Sequence, residues 1–127
     1  MARPAMKELT QRELEVMHVF WDQGELTAMD ACQCLADAGE SLAYVAVANL
    51  VRILVDKGFL ESTNDVRPFR YQPVRSFEEV SGSLVRDLIQ RVFHGSRERL
   101  LVRLLSEKRL TSRERAVLQD ILNGKDS

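Results

Sequence analysis

An apolar helix closed by a glycine and followed by two short β-rich runs, a second helix joined to it through Glu40 to Leu42 only, and three leucine-rich helices downstream together predict a mainly α chain. The arrangement expected is a winged helix-turn-helix with a C-terminal three-helix dimerisation region, divided as residues 1–75 and 76–127. A chain of 127 residues with 45% hydrophobic and 29% charged residues has the composition of a folded protein, so disorder is set aside. The opening MARPAMKEL lacks the apolar core of a signal peptide, and no apolar run approaches the roughly 20 residues that span a bilayer. A cytoplasmic protein with no membrane partner is the expectation.

Taken in order, the first helix opens at Thr10, where Thr10 and Glu13 form a capping box and Leu9 and Leu14 a hydrophobic staple. Leu14, Met17, Phe20 and Trp21 supply its buried stripe, and it ends near Gly24. Glu25-Leu26 is a short extended piece. Thr27 and Asp30 cap the second helix, whose Ala31, Cys32 and Leu35 turn inward before Gly39. The third helix carries a stripe of Tyr44, Val47, Leu50, Val51 and Leu54, and Gly58 suits the left-handed residue that stops it. Its opposite face holds Val45, Ala46, Ala48, Asn49, Arg52, Ile53 and Asp56. Phe59–Thr63 and Phe69–Gln72 read as the two strands of a ribbon turning through Asn64-Asp65 and Pro68.

Beyond Pro73 the composition changes. Ser76 and Glu79 open a long helix to about Phe93, Ser96 caps another after Gly95, and Thr111 with Glu114 opens the last, which stops at Gly124. Leu84, Leu88, Val92, Leu101, Leu104, Leu105, Leu118, Ile121 and Leu122 supply more apolar surface than some fifty residues hide within themselves. A second copy of the chain is the expected partner, its two-fold symmetry placing two helix-and-wing units on one palindromic site.

Charge is distributed unevenly. Residues 1–74 hold seven Lys and Arg against eleven Asp and Glu, a balance of −4, whereas residues 75–127 balance at +3. The helix-and-wing stretch from Ser41 to Val74 is only +1, so any DNA contact depends on local placement of Arg52, Arg67 and Arg70. An acidic N-terminal half with Val45, Ala46 and Ile53 facing outward keeps a second reading open: a winged-helix protein–protein interaction module without DNA binding. An enzyme is excluded by the absence of any serine–histidine–acid set, glycine-rich phosphate loop or metal-ligand spacing. His18 and His94 lie far apart, and Cys32 and Cys34, two positions apart on a helix, point to nearly opposite faces. No cofactor or metal is expected.

The runs LTQRELEVMHVFW, AYVAVANLVRILVDKGF, FRYQPV and GSRERLLVRLLSEKRLTSRERAVLQDIL resemble the penicillinase-repressor and methicillin-resistance-repressor family of bacterial regulators, which includes copper-responsive repressors. The resemblance implies a homodimer that represses transcription from a palindromic operator in double-stranded DNA. It places the recognition helix at about 43–57 and the wing at about 59–73. The DNA contacts it implies are Ala43, Tyr44, Val45, Ala46, Asn49 and Arg52 on the helix, and Arg67 and Arg70 on the wing. Family threonines are replaced by Val45 and Ala46, so thymine methyl contacts and an Asn49–adenine pair stand where hydroxyl bonds would, and a different operator is implied. The Asn-Phe bond cut in the penicillinase branch corresponds to Arg103-Leu104, and the paired C-x-C motifs of the copper branch have no counterpart in the closing NGKDS. The inducing signal, whether a sensor protease or a small molecule, is left open.

Overall fold

The computed structural model describes residues 9–124, and the elements in that span are α1 (Gln11–Gln23), β1 (Leu26–Thr27), α2 (Ala28–Asp37), α3 (Tyr44–Asp56), β2 (Leu60–Ser62), β3 (Arg70–Pro73), α4 (Phe77–Val92), α5 (Arg97–Glu107) and α6 (Ser112–Leu122). Local side-chain chemistry starts most of the helices. Full capping boxes open α1 through Thr10 and Glu13, α2 through Thr27 and Asp30, and α6 through Thr111 and Glu114. Ser76 accepts from the Glu79 amide and Ser96 from the Arg99 amide at the starts of α4 and α5. Gly58 takes φ +87° after the last turn of α3, a left-handed conformation that a side chain resists, and its neighbour Phe59 is thereby turned into the core.

The core of the N-terminal unit draws Val16, Met17 and Phe20 from α1, Ala31 and Leu35 from α2, Val47, Val51 and Leu54 from α3, and Phe59 and Leu60 from the start of the wing. The α1 stripe is turned slightly from the expected one: Val16 is fully buried, while Leu14 and Trp21 are half-buried. In α3, Leu50 is half-buried and Tyr44 is exposed, so the stripe expected to begin at Tyr44 begins at Val47. Ala48, expected on the outer face, is half-buried and packs against the core.

The expected two-stranded ribbon is a three-stranded antiparallel sheet in the order β1-β3-β2. Leu26 pairs with Tyr71 and Thr27 with Arg70 on one side of β3, and Leu60 pairs with Pro73, Glu61 with Gln72 and Ser62 with Tyr71 on the other. The extra strand comes from the connection between α1 and α2, which shields one edge of β3 and anchors the wing to the helical core.

Two compact units divide between Ser83 and Leu84, within α4. The first turns of α4 belong to the N-terminal unit because Val80 is 2% exposed in its core and Phe77 stacks on Trp21, with ring centroids 5.5 Å apart. Trp21 Nε1–H also donates to the Arg75 carbonyl at 2.9 Å. The unit from Leu84 onward is different in kind. Neither α5 nor α6 contains a buried side chain, and Leu84, Leu88, Val92, Leu101, Leu104, Leu105, Ile121 and Leu122 are all exposed, with Leu118 half-buried. Among the described residues no helix is long and apolar enough to cross a membrane.

Candidate nucleic-acid interface

The exposed side of α3 is held by the buried one. Val47, Val51 and Leu54 fix the helix on the core, and their spacing leaves Val45, Ala46, Asn49 and Arg52 facing outward. Val45 is 76% exposed, its methyl groups on the free surface of the helix. Unlike α1, α2 and α6, α3 begins without a side-chain cap: Ala43 stands at the N-cap with extended backbone and offers its first-turn amides no partner. Those amides, at the positive end of the helix dipole, suit a phosphate oxygen.

The wing stands beside this face. Thr27, Ala28 and Met29 of the α2 start, Tyr44, Ala48 and Arg52 of α3, and Arg67, Pro68, Phe69 and Tyr71 of the wing line a groove of about 590 Å³. Six of the eight expected contacts, Ala43, Tyr44, Val45, Ala46, Asn49 and Arg52, thus share the exposed part of α3, and Arg67 lies across the groove with its guanidinium 5.6 Å from the centre of the Phe69 ring.

Arg70 is placed differently. Its Nε donates to Glu25 Oε2 at 2.9 Å and its Nη2 to the Glu25 carbonyl at 3.3 Å, while Thr63 Oγ1 donates to the same carboxylate at 2.9 Å. Bonds from Thr63 and Arg70 hold the Glu25 carboxyl below its usual pKa. Asn64 completes the turn, its Oδ1 accepting from the Arg70 amide at 2.9 Å and its Nδ2 donating to the Pro68 carbonyl at 3.3 Å. Arg70 is therefore a brace of the wing, its charge offset by Glu25, and Arg67 is the wing's outward cation.

A second brace sets α3 against α1. Lys57 Nζ lies 2.8 Å from Glu13 Oε1, and Glu13 is buried. Burial pushes the Glu13 carboxyl up, but the bond from Lys57, the Thr10 amide and hydroxyl bonds and the nearby Lys57 charge together hold it below its usual pKa. Glu13 was legible as a capping residue and not as the partner of Lys57; Glu25 was not legible at all. The two cysteines are free and half-buried, with the Cys32 thiol donating to the Leu42 carbonyl at 3.4 Å.

The chain matches the family described as "Penicillinase repressor" over residues 9–124. It is 26% identical over 118 residues to an uncharacterised 16.5 kDa protein of Latilactobacillus sakei, spanning 93% of this chain and 80% of that one. With the methicillin resistance regulatory protein MecI of Staphylococcus aureus it shares 22% identity over 118 residues, 93% of this chain and 95% of the relative. Among solved structures, the complex structure of hsRosR-SG superposes over 95% of each chain with a TM-score of 0.55 at 17% identity, a likeness of fold.

Proposed function

Because the chain belongs to the penicillinase repressor family of winged-helix transcriptional regulators, which are DNA-binding proteins and not enzymes, we propose that it is a homodimeric repressor that binds a palindromic operator through α3 and the wing. The observation that carries the reading is the uncovered face of α3, with its uncapped first turn and Arg67 across the groove. The N-terminal unit binds DNA and the unit from Leu84 onward pairs two copies, with the exposed leucines of α4, α5 and α6 forming the contact. Pairing links two half-sites into one binding event and raises affinity through effective concentration. Such a protein works in the cytoplasm, beside the bacterial chromosome. Arg103 and Leu104, at the position of the family's cleavage dipeptide, lie within α5, so release of the penicillinase type is not part of this proposal.

The test is an anisotropy titration of the full chain against the promoter of its own operon at two salt concentrations, with light scattering on the same sample. Tight binding of a dimer that weakens steeply with salt is expected, because phosphate contacts release counterions. A dimer that binds no duplex at low salt sinks the proposal and favours the protein-binding module, a reading supported by exposed Val45 and by the offset of Arg70 by Glu25.

The two wing arginines are expected to behave differently. Arg67→Ala should weaken binding to all duplexes alike and lower the salt slope by about one, the mark of a lost phosphate contact. Arg70→Ala should also weaken binding, but with a lowered melting temperature, because the Glu25 brace is lost with it. Thermal melts beside the titrations separate the two effects.

A further inference from the structure

We infer that Asn49 and Arg52 read one base together, each as a hydrogen-bond donor, so that the half-site presents guanine at that position. The inference rests on the repressor reading and specifies which base α3 selects. Arg52 Nη2 donates to Asn49 Oδ1 at 2.6 Å, a short, charge-assisted bond between residues three apart on the exposed side of the helix. A guanidinium has donors and no acceptor, so the amide atom facing it has to be the oxygen; the orientation of the carboxamide follows from chemistry. On its far side Arg52 is held by Asp56 Oδ2 at 3.4 Å, four residues on. Asn49, Arg52 and Asp56 thus form one chain along the exposed side of α3.

This changes what Asn49 offers a base. The usual bidentate pairing of asparagine with adenine uses its oxygen to accept from N6 and its nitrogen to donate to N7. Here the oxygen is engaged by a cation, and a second donor from adenine N6 would be brought up against positive charge. Among the described residues the amide nitrogen has no hydrogen-bond partner, and the Arg52 guanidinium lies beside it. Both prefer an edge made of acceptors. In the major groove guanine presents two adjacent acceptors, N7 and O6, and adenine presents one acceptor next to a donor. The Asn49–Arg52 pair therefore selects guanine over adenine.

The experiment selects duplexes from a random-sequence pool with the full chain, then measures anisotropy on the selected duplex and its single-base variants. In the wild-type chain the position that loses its preference in Asn49→Ala is expected to be guanine, with a guanine-to-adenine change costing about tenfold or more. Arg52→Met, which keeps length and removes the donor, should move the preference toward adenine, and Arg52→Lys, which restores a donor, should move it back toward guanine. Adenine at that position in the wild type, a guanine preference unchanged in Arg52→Met, or no altered position in Asn49→Ala each overturns the inference while leaving the repressor standing. A pool that yields no preferred sequence overturns the repressor reading and this inference together. Both side chains are exposed, and circular dichroism of each variant confirms that fold is not the variable.

Discussion

Leu101→Glu combined with Leu105→Glu should convert a dimer into a folded monomer and lower operator affinity at least a hundredfold. The two leucines sit one turn apart on α5, both exposed within the chain, so neither substitution removes a contact from the N-terminal core. A carboxylate at each position in a paired interface is buried twice over by symmetry, without a partner, and such burial is prohibitive. Helical content and the cooperative melting of the N-terminal unit are expected to survive. The affinity loss is the lost linkage between half-sites, of the order of 10²–10⁴ for two linked binding events. Light scattering reads the mass and anisotropy the affinity on one sample. A double variant that stays dimeric would remove α5 from the interface, and a monomer that binds as tightly as the wild type would remove dimerisation from the mechanism.

The largest stability effect is expected at the brace between α1 and α3. Lys57→Met removes the ammonium 2.8 Å from Glu13 Oε1 and leaves a buried carboxylate short of its cation. Breaking such a pair from one side costs about 3 kcal/mol, and a melting temperature lower by about 10 °C follows for a protein of this size. Glu13→Gln should cost far less, because glutamine still bonds the Thr10 amide as a capping-box residue and Lys57 retains access to water. The asymmetry is the informative part, since a simple surface ion pair would lose about equally from either side.

The pH dependence follows from the lowered Glu13 carboxyl. Its ordinary value is 4.5, and in the folded chain it is lower, so the folded state holds fewer protons than the unfolded one in that range. The stabilisation is complete above the unfolded value and is lost as pH falls through the folded one. Thermal melts from pH 7 down to pH 3 should show the gap between wild type and Lys57→Met constant at neutral pH and closing below about pH 4.5. A gap that does not change with pH would mean that Lys57 stabilises α3 by packing its methylene stem and not by pairing with Glu13.

Much of the fold was legible in the chain because its chemistry is local. In the capping boxes at Thr10, Thr27 and Thr111 both partners lie within one turn, and three residues of sequence suffice to state donor and acceptor. The same holds for Gly58, whose left-handed backbone ends α3 where the apolar pattern ends, and for the leucines after Leu84, whose spacing announced a surface too apolar for so short a segment. Helical periodicity put Val45, Ala46, Asn49 and Arg52 on the outer face, together with Ala48 and Ile53, which the fold half-buries.

Tertiary structure decided what periodicity leaves undetermined. Tyr44 fits the buried stripe by spacing yet is exposed, since spacing defines a helix face but not how far along it the core extends. Glu13 meets Lys57 across 44 positions and Glu25 meets Arg70 across 45, and nothing in a sequence with 19 acidic and 18 basic residues singles out those pairs. The third strand arose the same way: the extended piece at Leu26 was legible, but its pairing with Tyr71 and Arg70, distant in sequence, was not. Sequence fixes interactions that close within a turn, where chain connectivity brings the partners together; pairs that close only when distant segments pack are chosen by the fold, and here they separate Arg70, a brace of the wing, from Arg67, its outward charge.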